Sequence, residues 1–387
     1  MGRPPEHLAL EPLASSSSPP KSTKDAIGDK TQKPKILAVI LDLDGTLLDT
    51  ERATKSVFLE FLAKYGKTLN KEREQKREIG KTLKDSSTAI VEDYDLPLTP
   101  EQFIKEIIPM YQQKWKYVKA LPGANRLIKH LHDHGVPTAL ASNSLREYID
   151  AKISSHQGWR EWFSVILGSD QVKAGKPSPD LFEEAARKMG VEAVHCLVIE
   201  DSMVGVKAAN AAGMEVVAVP PHGEAAVCSS LANTVLHSLL EFQPEHWDLP
   251  PFQDWVDNAL PIEPIYLSGL YVDGFVNEDT EDGKSALPDQ VWGVFFGWAV
   301  MDMQKSYRVV VGIGSDHSSC SPQKKIQIHL GLNRKEISSL DAERLEECES
   351  IASAALDLPI FSQHAYVPLY PDTFFLEDMV ATDELGT

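Results

Sequence analysis

Up to about Pro220, short unbroken aliphatic runs alternate with longer stretches of helical spacing; beyond Leu260 the apolar runs carry glycines and aromatic residues. Ile36-Leu37-Ala38-Val39-Ile40-Leu41, Thr138-Ala139-Leu140-Ala141 and Cys196-Leu197-Val198-Ile199 contain no charge. Runs of that length, ended by acids, hydroxyls or amides, predict strands buried on both faces, as in a parallel sheet. Between the first two, Val57, Phe58, Phe61, Leu62 and Tyr65 recur at helical spacing, and 101–115 repeats the pattern. Strands alternating with helices predict an α/β, Rossmann-like domain over 35–245, with a helical insertion over about 53–118. Gly205, Ala208, Ala209 and Ala212 predict a helix packed closely on the sheet. After a Pro- and Trp-containing connector (246–264), the runs 265–269, 291–299 and 308–314 predict a small antiparallel β-barrel over 265–366. A helix over 345–356 is expected to pack on it, followed by a tail (367–387).

The chemistry sits at the ends of the strands. Asp42-Leu43-Asp44-Gly45-Thr46 follows the first run, where open α/β sheets place their sites. Two carboxylates one residue apart repel unless a cation neutralises them, so the pattern reads as a divalent-metal site beside an acidic nucleophile. Calcium loops and ordinary turns also use Asp-x-Asp-Gly, but a calcium loop needs further oxygen ligands where Leu47 and Leu48 stand. Ser142-Asn143-Ser144 ends the second run, and Lys176 lies in the stiffened loop Gly175-Lys176-Pro177. Glu200-Asp201-Ser202 ends the third. Each has a plainer reading: a helix cap, a solvated loop charge and an acidic first helical turn. Gly168 and Gly175-Lys176 do not make a nucleotide-cradling loop, because six residues separate the glycines and Pro177 follows the lysine.

Taken together, these four segments resemble the motifs of the haloacid dehalogenase superfamily, specifically its phosphatases with a helical cap, over about 35–220. The resemblance implies that Asp42 is the nucleophile that accepts the phosphoryl group, and that Asp44 is its acid–base partner. It implies phosphate binding by Ser142, Asn143 and Lys176, and Mg²⁺ held by Asp42, Asp201 and the backbone carbonyl of Asp44. Glu200 is read as an outer-shell neighbour of the metal. The insertion then corresponds to the cap, with Gly80 and Lys81 as the candidate loop reaching the substrate. Physical chemistry agrees: phosphoryl transfer needs alignment and charge neutralisation, Mg²⁺ prefers hard oxygen ligands, and a second carboxylate suits ester cleavage followed by water activation.

The C-terminal third resembles the riboflavin kinase family, in the plant arrangement where an FMN hydrolase precedes it. Gly293-Val294-Phe295-Phe296-Gly297-Trp298-Ala299, Val309–Gly314 and Ala355-Leu356-Asp357-Leu358-Pro359 carry the likeness, as does Ala120-Leu121-Pro122-Gly123-Ala124 after the cap. The kinase chemistry is eroded. In place of the family's Pro-Thr-Ala-Asn loop stand Asn277, Glu278, Asp279, Thr280, Glu281 and Asp282, and the family's Thr-Ile-Glu falls on Lys325-Ile326-Gln327. Gln327 cannot accept a proton at neutral pH, so the barrel is expected to lack riboflavin kinase activity.

Composition narrows the partners. The 387 residues hold 57 acids against 38 Lys plus Arg, a net charge of −19, which argues against nucleic acid and anionic membrane surfaces. The expected partner is a small-molecule phosphomonoester, FMN first, with sugar or glycerol phosphates as the nearest alternatives. A working bifunctional enzyme and a non-catalytic flavin-binding scaffold are the others. Four dispersed cysteines fit a reducing compartment, and no run reaches membrane-span length. Residues 1–34, rich in serine and proline, are expected to be a disordered leader. Cytoplasmic residence is expected, with a plastid transit segment as the alternative. No oligomeric state is read from the sequence.

Overall fold

In a computed structural model, the described residues are 34–70, 80, 82–221, 225–254, 259–262, 265, 267–278, 287–291, 293–301, 305–315, 324–330 and 375–382. The leader, Lys81, Asp279–Asp282 and the helix expected over 345–356 lie outside them.

The aliphatic runs form the strands they predict. In chain order the elements are β1 (Ala38–Leu41), α1 (Thr50–Lys64), α2 (Leu83–Asp93), α3 (Pro100–Trp115), α4 (Ala124–Asp133), β2 (Thr138–Ser142), α5 (Arg146–Ile153), β3 (Val165–Gly168), α6 (Asp180–Met189), β4 (Cys196–Glu200), α7 (Met203–Ala211), β5 (Glu215–Ala218) and β6 (Thr234–Val235). The sheet is parallel, with order β3-β2-β1-β4-β5-β6. Alternate residues face opposite sides. Val39, Leu41, Leu140, Leu197 and Ile199 join α4 and the cap, whereas Ala38, Ile40, Ala139, Ala141 and Val198 join α6 and α7. Alanines dominate the second face (Ala185, Ala186, Ala208, Ala209), which lets those helices lie close. β1 is fully buried between β2 and β4, so the chain crosses over in opposite directions from it and opens a crevice at the strands' carboxyl ends.

Among the described residues, the cap contains α1, α2 and α3. α1 buries Val57, Phe58, Phe61 and Leu62, and α3 buries Phe103, Ile107, Ile108 and Trp115. The rings of Phe61 and Phe103 meet edge to face at 5.1 Å. Burial of each such ring contributes about 1.5–3 kcal/mol. Thr99 starts α3 with a capping box: its hydroxyl accepts from the Gln102 amide at 3.3 Å, and the Gln102 side chain accepts from the Thr99 N–H at 2.8 Å.

The C-terminal region is an antiparallel, barrel-like sheet: β7 (Ala259–Pro261), β8 (Gly269–Val272), β9 (Phe275–Glu278), β10 (Gly293–Met301), β11 (Lys305–Ser315), β12 (Lys324–Leu330) and β13 (Phe375–Thr382), in the order β7-β13-β10-β11-β12-β9-β8. Period-two alternation places Phe295 and Ala299, Val309, Val311 and Ile313, and Ile326 and Ile328 in one core. Ile265, Leu267 and Ser268, expected as strand, precede β8 without strand pairing, and Tyr266 lies outside the described residues. β7 lies within the expected connector and β13 within the expected tail, where β13 pairs with β10. The connector is also anchored: Arg126 on α4 holds Asp254 through two bonds of 2.6 and 2.7 Å, and its guanidinium lies 3.6 Å from the centre of the Phe252 ring.

Candidate active site

The β1–β2 and β1–β4 registers bring Asp42, Ser142 and Glu200 to one sheet edge, since Leu41 pairs with Leu140 and with Ile199. Asp42, Lys176, Glu200 and Asp201 are all buried there. Lys176 Nζ donates to Asp42 at 2.5 Å and to Glu200 at 2.7 Å. The other Glu200 oxygen accepts from the Ser202 amide at 2.7 Å and its hydroxyl at 2.9 Å. The Thr46 hydroxyl donates to Asp201 at 3.3 Å. One carboxylate oxygen from each of Asp42, Glu200 and Asp201 lies within 4.8 Å of the others.

Three carboxylates against one ammonium leave two negative charges in a buried space. Burial first, then Glu200 and Asp44, push Asp42 up from 3.8 to about 7 despite Lys176. Burial and the charges of Glu200 and Asp42 likewise raise Asp201 well above the ordinary carboxylate range. Burial works against a charged Lys176, but Asp42 and Glu200 outweigh it and hold the ammonium on. Hard oxygen donors with an excess of two negative charges fit a divalent cation such as Mg²⁺. Asp42 and Asp201 could hold it, each with one carboxylate oxygen to spare among the described residues, whereas both Glu200 oxygens already have partners within the fold.

Asp44 meets a different environment. Its oxygens accept from Lys152 Nζ at 2.7 and 2.9 Å, from Ser144 Oγ at 2.8 Å and from Ser142 Oγ at 3.3 Å. Burial raises its carboxyl, but the charge and hydrogen bonds of Lys152, with Ser144 helping, win, so it lies below the ordinary value. Lys152 is itself buried, with its ammonium 5.2 Å from the centre of the Trp115 ring on the cap. Lys152 was not singled out from sequence, and Ser144 was read only as part of the Ser142-Asn143-Ser144 segment. A signal for Lys152 existed: it stands on the buried stripe Ile149, Lys152, Ile153 of α5, an unusual place for an ammonium without a partner.

Asn143 braces loops with its side chain. Its amide donates to the carbonyls of Gly80 at 2.7 Å and Lys176 at 3.0 Å, and its oxygen accepts from the Lys176 N–H at 2.8 Å. Gly80 (φ +81°) packs so closely on Ser202 that a Cβ would stand 2.3 Å from the hydroxyl. The cap loop is thereby tied to the 142–144, 176 and 200–202 segments, and glycine is required for that approach.

Residues 39–219 match the family model described as haloacid dehalogenase-like hydrolase. A bifunctional riboflavin kinase/FMN phosphatase of Arabidopsis thaliana is 40% identical over 84% of this chain and 94% of its own length. A mitochondrial (DL)-glycerol-3-phosphatase of the same plant is 38% identical over 57% of this chain and 76% of its own. Among solved structures, a haloacid dehalogenase family hydrolase from Deinococcus radiodurans, with bound phosphate and sodium, is 30% identical over 57% of this chain and all of that one, with a TM-score of 0.47.

Proposed function

The chain belongs to the haloacid dehalogenase-like hydrolases, and we propose that it is a Mg²⁺-dependent phosphomonoesterase that works through an aspartyl phosphate on Asp42. The observation that carries this reading is the pair of lysine-bound carboxylates, Asp42 on Lys176 and Asp44 on Lys152. When bound by Asp42, Asp201 and the Asp44 carbonyl, the cation supplies positive charge that offsets the repulsion between carboxylates and a phosphate dianion.

The residues then divide the work. Asp42 attacks phosphorus as the ester P–O bond breaks, and Asp44, in its protonated form, gives its proton to the leaving oxygen. Asp44 then takes a proton from water as that water attacks phosphorus, releasing phosphate from Asp42. Ser142 and backbone amides at Asn143 hold phosphate oxygens, and Lys176 balances their charge. The Asn143 side chain fixes the Lys176 loop instead of touching substrate, given its three bonds to backbone. Lys152 biases Asp44 towards its base form. It therefore favours the water-activating half of the cycle over proton delivery.

FMN is the proposed substrate, because the relative named for FMN phosphatase matches both the hydrolase and the C-terminal region. Glycerol phosphate is the second reading, supported by a relative that matches over 57% of the chain. Riboflavin kinase activity is proposed to be absent, since Gln327, on β12 opposite Gly312 and Phe275, offers no base. The test is phosphate release from a panel of phosphomonoesters with Mg²⁺, alongside Asp42→Asn and an ATP-plus-riboflavin assay. FMN turnover at least about 10³-fold above the Asp42→Asn variant, with no FMN made from riboflavin, is expected. Turnover of glycerol phosphate alone would discard the flavin reading, and release unaffected by Asp42→Asn would discard the mechanism.

A further inference from the structure

The loop that follows β1 is held from two sides. On one side Gly45, at φ +92°, lies so close to Asp201 that a Cβ would stand 2.1 Å from its carboxylate oxygen. On the other, the Gly45 carbonyl accepts a hydrogen bond from Gln290 Nε2 at 3.2 Å, 245 residues further along the chain. Gln290 is 8% exposed and sits between Leu287 and Val291, both buried in the core of the C-terminal sheet. A second contact lies beside it. The Leu287 carbonyl accepts from the Arg52 guanidinium, whose Nε pairs with Asp49 at 2.9 Å. Asp49 precedes α1, and its N–H donates to the Lys119 carbonyl at 3.0 Å, so it marks the point where both strands of the cap linker run together.

From this juxtaposition we infer that Gln290 is a positioning residue of the hydrolase: the C-terminal sheet lends segment 287–291 to fix the Gly45 peptide, and through it Asp201 and the Asp42–Asp44 spacing. The inference rests on the reading of Asp42, Asp44 and Asp201 as the hydrolytic and cation-holding groups. The physical chain is short. The Gly45 N–H is already fixed on the Leu48 carbonyl at 2.9 Å, so it is on the carbonyl side, where no Cβ limits rotation, that the Gln290 bond adds its hold. Rotation of the Gly45 peptide moves it against Asp201 on one side and moves Thr46 on the other, whose hydroxyl donates to Asp201 at 3.3 Å. A C-terminal sheet that contributes in this way has a use that does not depend on any kinase activity of its own.

The test uses the full chain with Gln290→Met, which keeps the side chain's length but removes the donor, and Gln290→Glu, which sets a carboxylate against the Gly45 carbonyl. Mg²⁺ affinity is read by calorimetry with Mg²⁺ as the only probe, and kcat, KM and melting temperature are measured beside it. Gln290→Met is expected to weaken Mg²⁺ binding by about three- to tenfold, with a comparable loss in kcat and KM unchanged; Gln290→Glu should do more. Mg²⁺ affinity and kcat equal to the parent in both variants would overturn the inference. So would a lowered melting temperature with Mg²⁺ affinity unchanged, since the role would then be packing alone. The calorimetric arm does not depend on turnover, so an inactive parent enzyme would defeat the proposed function and still leave this contact judged on its own.

Discussion

Asp42 and Asp44 leave one strand end two residues apart, each receives a lysine, and the two carboxyls titrate in opposite directions. Asp42 shares Lys176 with Glu200 and lies near Asp201, so one ammonium serves three carboxylates and Asp42 rises to about 7. Asp44 has Lys152 to itself, with Ser144 and Ser142 adding donors, and falls below its ordinary value. Burial raises both carboxyls, but Asp42 is the deeper of the two, at 8% side-chain exposure against 27%, and it shares its ammonium where Asp44 does not. On the proposed reading, the cluster short of positive charge takes a cation, whereas the carboxylate with its own ammonium stays ionised and handles protons. Neither lysine is interchangeable with the other.

The sharpest way to break this comparison is Lys176→Met, which strips the acidic cluster of its one cation. Loss of a partner from a buried ion pair costs about 3–5 kcal/mol. Denaturant melts should show that loss, larger at about pH 8 than at pH 5.5 because the carboxyls relieve themselves by taking protons at the lower pH, and turnover should vanish. A variant as stable as the parent at pH 8 would contradict the account. Lys152→Met should leave the fold in place and act on Asp44, whose carboxyl burial would then raise. A fall in kcat of about 10–100-fold is expected, together with accumulation of phosphate on Asp42 in acid-quenched samples, since water activation is the half that Lys152 favours. Faster turnover, or no accumulation, would remove Lys152 from the mechanism. The smallest effect is expected from Arg126→Ala, which frees the connector at Asp254. The Asp254 side chain is 40% exposed, but Arg126 is only 9% exposed and also lies on the Phe252 ring, so about 1–2 kcal/mol is at stake. Activity should be unchanged, and a large loss would mean that the connector does more than hold the two sheets together.

The sequence made the first of these regions easier to read than the second. Asp42, Ser142, Lys176 and Asp201 each follow a strand-like run, and a parallel sheet gathers such strand ends by its topology alone. Short apolar runs with glycines and aromatic residues likewise located β10 and β11 to within a few residues. Asn143 was readable as part of the site but not as a loop brace, because its partners at Gly80 and Lys176 depend on how the cap loop folds back. Lys152 left a trace as a charge on an apolar helical stripe. Its partner Asp44 is 108 residues away, and nothing local to α5 names it. Gln290 left no trace at all. A glutamine between Asp289 and Val291 has no periodicity to mark it, and its bond to Gly45 exists only because the two sheets pack in one arrangement. Strand ends and stripes are local properties of a chain; compensation of charge and bracing of loops are properties of the assembled whole.

The central claim, that the Asp42–Glu200–Asp201 cluster is completed by a divalent cation, is tested most directly by thermal melting of the metal-free chain and of Asp201→Asn, with and without Mg²⁺, at about pH 5.5 and 8. The sign follows from Asp42. Its carboxyl is raised in the fold from 3.8 to about 7, so the folded protein holds a proton that the unfolded chain has lost. This contribution to stability is present below about pH 4 and disappears as pH rises through about 7. Asp44, lowered in the fold, works the other way and is lost only at acid pH. The metal-free parent should therefore lose stability between pH 5.5 and 8, and Mg²⁺ should restore it at pH 8, by about 2.7 kcal/mol at a hundredfold excess over Kd. Asp201→Asn should lose the Mg²⁺ response. No rise in melting temperature with Mg²⁺ at pH 8, or an equal rise in Asp201→Asn, would contradict the account.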